Sequence, residues 1–256
     1  MLDWPRLLLG SLWLRPYVFG FLGLHLAGAS AFLGWRRTVG YTLITWGVAL
    51  AAEASSIRTG IPFGWYYYLP RTAGQELWIA GVPFFDSLSF PFLLVSSYGL
   101  AWVLLSGRKR GATRAVHLGL TSLLFVLVDM VIDPVALRGD QWFLGQIYGY
   151  PEPGLYFGVP LANFLGWGIV GLTATGLYQA WEGRRPTPLP AALRGRAWLC
   201  PGLYFVVLVF NLAVTFALRE WGLGLCGLTL ALAIGAVTLT APRRRAAGRW
   251  EEGTSA

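Results

Sequence analysis

Residues 115–137 read AVHLGLTSLLFVLVDMVIDPVAL, a predominantly apolar run of 23 residues with two acids towards one end. An α-helix rises about 1.5 Å per residue and a bilayer core is about 30 Å thick, so this run can cross a membrane as one helix. The two acids, Asp129 and Asp133, are four residues apart and share one face of that helix. The stretch therefore predicts a membrane-spanning helix that carries a pair of carboxyl groups.

The rest of the chain has a similar character. Hydrophobic residues make up 55% of the 256 residues and charged residues 12%, whereas an ordinary globular domain has about 25% charged residues. A soluble protein with so few charges could not cover its surface, but lipid covers the surface of a membrane protein. The composition predicts an all-α polytopic bundle of transmembrane helices that forms one domain over residues 1–256.

A span needs about 20 apolar residues, and the chain contains seven candidates. They are residues 17–35, 38–57, 83–106, 115–137, 157–181, 198–218 and 221–240. We expect residues 1–15 to form a short interfacial helix, residues 17–240 the bundle, and residues 241–256 a basic cytoplasmic tail.

Positive charge is distributed unequally between the loops. Of the 20 basic residues, 14 fall on one side of the seven-span arrangement. They occupy residues 36–37, 108–114, 184–196 and 243–249. Because Lys and Arg accumulate in cytoplasmic loops, we expect the N-terminus outside and the C-terminus in the cytoplasm, with the chain in the inner or plasma membrane. The same distribution accounts for the net charge of +8 without nucleic acid as a partner.

Metal and cofactor chemistry has little support in the sequence. With two His and two Cys, the chain cannot supply the multi-histidine boxes of membrane di-iron oxygenases, and it contains no Cys-rich metal or redox motif. Its only lysine, Lys109, falls in a predicted cytoplasmic loop, which excludes a retinal protein with a Schiff base in the last span. We expect no cofactor and no metal.

Four acids fall inside predicted spans at a similar depth, near the outer side: Glu53, Asp86, Asp129 and Asp133. A charge inside a span costs about 2.5–3.5 kcal/mol on insertion scales, so such residues are usually paired, neutral or functional. We expect Glu53, Asp129 and Asp133 to be catalytic. Two neighbouring buried carboxyls resist double ionisation, which predicts that the deeper Asp129 holds a proton and that Asp133, nearer water, is the anion.

Two aromatic segments flank these acids. One reads GIPFGWYYY at residues 60–68, and the other runs over residues 142–163. Glycine and proline interrupt both segments, and the polar Asn163 lies just inside the fifth span. Non-helical backbone at membrane depth must be buried in protein or line a cavity, so these segments predict cavity walls.

Each of these features also has a purely structural explanation. The acids could pair with Arg58, Arg138 or helix ends, and Asp86 could cap the third span. The aromatic segments could form the belt of Trp and Tyr that lies at a membrane interface. The belt does not account for the interleaved glycine and proline or for Asn163.

Several blocks of sequence, taken in order, are similar to a known family. The blocks are Glu53, TGIPFG at 59–64 with Tyr66 and Tyr68, GVP at 81–83, Asp129 with Asp133-Pro134, Trp142, and YFGVP at 156–160 followed by Asn163-Phe164 and Gly166-Trp167. Together they resemble the CruF-type carotenoid hydratases, which include the bisanhydrobacterioruberin hydratases. The resemblance extends over residues 40–180.

The resemblance implies a cofactor-independent hydro-lyase that adds water to the terminal carbon–carbon double bond of an acyclic carotenoid end, giving a tertiary alcohol. Lycopene-like, monocyclic and C50 carotenoids share this end, and all three stay open as substrates. In the reaction we expect, a carboxylic acid protonates the alkene and aromatic faces stabilise the tertiary carbocation. Water activated by a second carboxylate, or held by Asn163, then attacks the cation. The residues expected to bind the substrate are Phe63, Trp65, Tyr66, Tyr68, Asp86, Trp142, Tyr156, Asn163 and Trp167.

Two other classes of function stay open at this point. The same acids could form the proton relay of a proton-coupled transporter, although we find no internal repeat of the kind that transporters usually have. The chain could also be a non-catalytic membrane subunit that holds other carotenoid enzymes together. In that case the acids could be replaced without loss of product.

Overall fold

The computed structural model describes residues 3–106, 113–183, 193 and 195–241. Within these residues the chain forms eight α-helices and four two-residue strands. The helices are α1 (Trp4–Leu14), α2 (Pro16–Leu33), α3 (Trp35–Thr59), α4 (Phe84–Leu105), α5 (Arg114–Ala136), α6 (Leu161–Glu182), α7 (Leu199–Ala217) and α8 (Trp221–Thr240). The strands are β1 (Tyr67–Tyr68), β2 (Trp78–Ile79), β3 (Val82–Pro83) and β4 (Tyr148–Gly149).

The predicted all-α polytopic bundle is confirmed, and the seven predicted spans correspond to α2–α8. Six of these helices are both long and apolar enough to cross a membrane, so the chain is a multi-pass membrane protein. The exception is α3, which has 25 residues and therefore the length for a span, but is less apolar. Residues 1–15 contain α1; its location at the membrane surface stays a prediction, as do the orientation of the chain and its division into segments.

Some predicted boundaries move because of local backbone chemistry. The fifth span was expected from residue 157, but α6 begins only at Leu161. Proline at position 160 has no N–H to donate and lies just before the first helical turn, as proline often does. At the end of α3, Gly60 adopts a left-handed conformation with φ 76°, which is readily available only to glycine and ends the helix.

Much of the predicted positive charge lies outside the described residues. This applies to the basic tail beyond residue 241, and to the basic residues at 108–110, 184–185 and 194. Among the described basic residues on the predicted cytoplasmic side, Arg37 and Arg114 both pair with Glu182, at 3.2 Å each. This pairing links the first turns of α3 and α5 to the last turn of α6.

The helix α4 forms the centre of the bundle. It packs against α2, α3, α5 and α7, and most of its side chains are buried. A helix that is apolar on all sides is typical of such a central position. Residues from the last turns of α3 and α5 and from the first turn of α6 lie around its first turn. Asp86, near the start of α4, therefore lies where several helices meet.

Two long loops cover this end of the bundle and pair with each other. The α3–α4 loop (residues 60–83) supplies β1, and the α5–α6 loop (residues 137–160) supplies β4. The two strands are antiparallel, with Tyr67 opposite Gly149 and Tyr68 opposite Tyr148. This short ladder holds together two segments that are about 80 residues apart in sequence.

A buried arginine attaches both loops to the start of α2. Arg15, between α1 and α2, forms an ion pair with Glu76 of the α3–α4 loop at 3.4 Å. Its guanidinium also donates to the backbone carbonyl of Leu144 in the α5–α6 loop and lies 4.3 Å from the centre of the Phe85 ring. The loops are therefore fixed to the helices rather than resting loosely on them.

Candidate active site

A cavity lies where the last turns of α3 and α5 meet the first turns of α4 and α6, beneath the paired loops. We call it the acid cavity; its empty volume, which includes the open space at its mouth, is about 350 Å³. Its walls are formed by Glu53, Phe63, Tyr66, Tyr68, Asp86, Phe90, Asp133, Tyr148, Tyr150, Asn163 and Trp167. Three carboxyl groups and seven aromatic rings thus surround one small space.

Two of the three carboxyl groups of the cavity, those of Glu53 and Asp86, are joined by a tyrosine. The Tyr68 hydroxyl lies 2.7 Å from Asp86 Oδ2 and 3.0 Å from Glu53 Oε1. A hydroxyl has a single proton to donate. Both contacts are therefore fully satisfied when Tyr68 donates to Asp86 and a proton on Glu53 completes the other contact.

The third carboxyl group, that of Asp133, is surrounded by hydrogen-bond donors. Asp133 accepts hydrogen bonds from the hydroxyls of Tyr148 at 2.7 Å and Tyr150 at 3.0 Å, and from Asn163 Nδ2 at 2.7 Å. Asn163 Nδ2 also donates to Asp129 Oδ2 at 3.0 Å. An ionised carboxylate is an acceptor only, with room for several donors, so the arrangement around Asp133 suits an anion.

The tyrosines that hold these carboxyls keep their protons. Burial, followed by the nearby carboxyls of Asp86 and Glu53, raises the pKa of Tyr68 well above its usual value. Burial and the Asp133 carboxyl do the same to the pKa of Tyr148 and of Tyr150. All three hydroxyls consequently remain hydrogen-bond donors at neutral pH.

Aromatic rings form the apolar side of the cavity and are themselves tightly packed. Trp167 stacks on Phe90, with ring centroids 4.4 Å apart and an interplanar angle of 15°. Phe63 lies against Gly166, where an added Cβ would come within 2.9 Å of the Phe63 Cα atom. The backbone N–H of Phe63 also donates to Ser56 Oγ at 2.9 Å. These contacts give the rings a fixed position beside the carboxyls.

Eight of the predicted site residues meet at this cavity. They are Glu53, Phe63, Tyr66, Tyr68, Asp86, Asp133, Asn163 and Trp167. The agreement arises because the predicted spans alternate in direction, so the end of one span and the start of the next come to the same side.

Four predicted residues do not line the acid cavity. Asp129 is fully buried behind Asn163. Trp65 is 57% exposed and lies over Gly60, and Tyr156 packs against Phe164. Trp142 lines a neighbouring cavity and donates its indole N–H to the Val135 carbonyl at 3.1 Å.

Three wall residues were missing from the predicted site. Tyr148 and Tyr150 were noted only as part of an aromatic segment, and Phe90 was noted after Asp86 but was given no role in the site. Residues two apart in an extended segment point the same way, so the spacing of the two tyrosines was a usable signal. Phe90 follows Asp86 by four residues and therefore shares its helix face.

The two arginines that could have paired with the buried acids, Arg58 and Arg138, have other partners. Arg58 donates to the backbone carbonyls of Ala54 and Ala80, and Arg138 pairs with Glu220. In the described part of the chain neither arginine bonds to the four acids. The residue that caps α4 is Pro83, so Asp86 does not have that role either.

Residues that could ligate a metal ion are few and scattered in the described part of the chain. Among the residues that the structure describes, no group of three or more His, Cys, Asp or Glu side chains is arranged to hold a metal ion.

Comparison with known proteins agrees with the resemblance seen in the sequence. The chain is 33% identical over 163 residues to the bisanhydrobacterioruberin hydratase of Haloarcula japonica, in an alignment that covers 64% of this chain and 48% of that protein. The chain thus spans about half the length of this curated relative. No solved structure matches it. The family model for carotenoid biosynthesis proteins matches residues 11–239, nearly the whole chain, and the chain therefore belongs to this family.

Proposed function

We propose that this protein is a carotenoid hydratase, a hydro-lyase that adds water across the terminal double bond of an acyclic carotenoid end. The observation that carries the proposal is the acid cavity, in which Glu53, Asp86 and Asp133 face the rings of Phe90 and Trp167. Alkene hydration needs a proton donor, a surface that stabilises a carbocation, and a base for water. The cavity contains a candidate for each of these three groups. It lies inside a bundle of membrane helices, and a carotenoid is dissolved in the membrane around that bundle.

The first step transfers a proton to carbon. A protonated Glu53, held by Tyr68 together with Asp86, delivers its proton to the less substituted carbon of the double bond. The π electrons form the new C–H bond, and the positive charge remains on the dimethyl-substituted carbon. The faces of Phe90 and Trp167 stabilise this tertiary cation by cation–π attraction, which is worth about 2 kcal/mol or more in a desolvated site.

The second step captures water. Asp133, supported by three hydrogen-bond donors, takes a proton from water as the water oxygen forms a bond to the cationic carbon. The product is a tertiary alcohol, and the sum of both steps is the addition of one water molecule. Exchange of protons with solvent returns Glu53 and Asp133 to their starting states, so no electron acceptor or oxygen enters the balance.

Asp129 has a different part in this scheme from the one expected from the sequence. Because it lies behind Asn163 and outside the cavity wall, it acts through Asn163 as a positioning residue. The proton donor is then Glu53, and the anionic role expected for Asp133 is kept.

The test is co-expression with an acyclic carotenoid pathway in a bacterial host, with pigment masses as the readout. Hydration adds the mass of one water molecule per reacted end, and growth in water enriched in heavy oxygen increases that mass further. A gain of one oxygen atom whose mass does not change in water enriched in heavy oxygen would mean oxygenation and would reject the proposal. Unchanged pigment at full expression would instead favour a transporter or a non-catalytic subunit of the pathway.

A further inference from the structure

A second cavity lies beside the acid cavity and is larger. Its empty volume, which includes the open space at its mouth, is about 720 Å³, and it extends between α2, α4, α5 and α7 beneath the α5–α6 loop. Aromatic rings dominate its walls, among them Tyr17, Phe21, Phe92, Trp142 and Phe210. We call it the apolar cavity. None of these residues apart from Trp142 was part of the predicted site.

The two cavities share walls. Asp86, Asp133, Tyr148 and Trp167 line both of them. A molecule in the apolar cavity therefore has one end beside the carboxyls that we assign to catalysis. An apolar pocket with a few polar groups gathered at one end is the usual form of a site for a largely apolar ligand.

The aromatic lining also reaches the surface of the protein. Phe143 is 65% exposed, and its ring lies 5.5 Å from that of Tyr17, 5.0 Å from Trp142 and 6.3 Å from Phe210. The aromatic lining of the apolar cavity therefore extends to the protein surface at Phe143.

We propose that the apolar cavity binds the conjugated polyene chain of the carotenoid and thereby delivers its terminal double bond to the acid cavity. This inference rests on the proposed function. A polyene is a rigid, flat, apolar rod, so its removal from lipid is compensated by contact with flat aromatic walls rather than by the hydrophobic effect. The acid cavity, at about half the volume, receives only the reacting end.

The experiment fills the apolar cavity and leaves the carboxyls untouched. Val207 on α7 is 2% exposed and lines the cavity, whereas Val209, two residues further on, is 66% exposed. We compare Val207→Phe with the matched control Val209→Phe in two assays. The first measures carotenoid that remains bound to the detergent-purified protein. The second measures hydration of a long carotenoid and of a short acyclic isoprenoid with the same terminal group.

We expect Val207→Phe to lose bound carotenoid. Its hydration of the long substrate should fall by about tenfold or more, because a poor fit in an apolar pocket typically has an effect of this size. Hydration of the short substrate should persist, and Val209→Phe should behave as the wild type in every assay. Equal pigment binding and equal conversion of the long substrate by both variants would overturn the assignment.

A second cavity-filling variant covers the case in which Val207→Phe does not fold. Ile132 on α5 lines the same cavity and is only partly buried, so Ile132→Phe adds volume where space exists. It should have the same selective effect, and wild-type behaviour from a folded Ile132→Phe protein would overturn the inference. Pigment that is bound by wild type and lost from these variants, but never hydrated, would support the cavity and reject only the proposed function.

Discussion

Tyr68 and Tyr148 lie directly opposite each other in the antiparallel pair of β1 and β4, with ring centroids 6.5 Å apart at an interplanar angle of 75°. Residues opposite each other in such a pair project from the same face. Each tyrosine binds a different carboxyl: Tyr68 holds Asp86 with Glu53, and Tyr148 holds Asp133. The short ladder between two loops thus sets the relative position of the proposed acid and the proposed base.

The first prediction removes one hydroxyl from this arrangement. Tyr68→Phe leaves Asp86 without its hydrogen-bond donor and the proton of Glu53 without its acceptor, and an unsatisfied buried polar group costs about 1–3 kcal/mol. We expect the fraction of hydrated carotenoid to fall by about tenfold or more at equal protein level. The neighbouring Tyr67 is 48% exposed, so Tyr67→Phe is the control. Equal loss in both variants would contradict the role given to Tyr68.

The second prediction ranks the two aspartates of α5. Asp133→Asn removes the proposed base from the cavity wall and should reduce hydration by about 10²–10⁴-fold, the usual contribution of such a group. Asp129→Asn should cost less, because an amide oxygen at that position can still accept the hydrogen bond from Asn163. Pigment ratios at equal expression measure both effects. The reverse order would return the direct role to Asp129, and wild-type product from both would remove the pair from the mechanism.

The third prediction concerns the close contact of α6 with the α3–α4 loop. In Gly166→Ala the new methyl group would displace Phe63 from the cavity wall, and overpacking of this kind costs about 1–3 kcal/mol. We expect lower thermal stability in detergent and less hydrated product. On the same helix an added Cβ at Gly168 would come no closer than 3.7 Å, to Val126. Gly168→Ala should therefore be neutral or slightly stabilising, and a similar loss in both variants would refute the argument from the contact.

The fourth prediction tests the buried ion pair that attaches the loops. Arg15→Met leaves the carboxylate of Glu76 buried without its partner, which typically costs about 3–5 kcal/mol. Thermal unfolding should occur at a lower temperature, with a loss of activity because the loops carry the tyrosines. The double variant Arg15→Met with Glu76→Leu should recover much of the stability, since no charge is then left unpaired. A double variant as unstable as the single one would show that the pair is not the cause.

The fifth prediction addresses orientation. The excess of basic residues on one side predicts a cytoplasmic C-terminus, so a reporter fused after Glu252 should be active in the cytoplasm. The acid cavity would then lie near the outer leaflet. A reporter that is active only after export would reverse the orientation and move the site to the other side of the membrane.

Sequence patterns identified the helices well because length and apolarity decide insertion into a membrane. The same patterns placed Glu53, Asp86 and Asp133 at one depth, and the structure brings these three to one cavity. Depth along a helix does not determine which way a side chain is turned relative to its neighbours. Asp129 was therefore expected on the cavity wall, although it lies one layer behind it.

The amino-acid sequence by itself determined a multi-pass α-helical bundle, the depth of its acids and its family resemblance, because each follows from composition, from helix periodicity or from short motifs. Only the tertiary structure decided which tyrosine binds which carboxyl, that Phe90 and Trp167 stack beside them, and that an apolar cavity adjoins the site. These features depend on the pairing of β1 with β4 across about 80 residues and on the contacts between α2, α4, α5 and α7. Contacts between segments so distant in sequence are set by packing, which no local pattern of residues specifies.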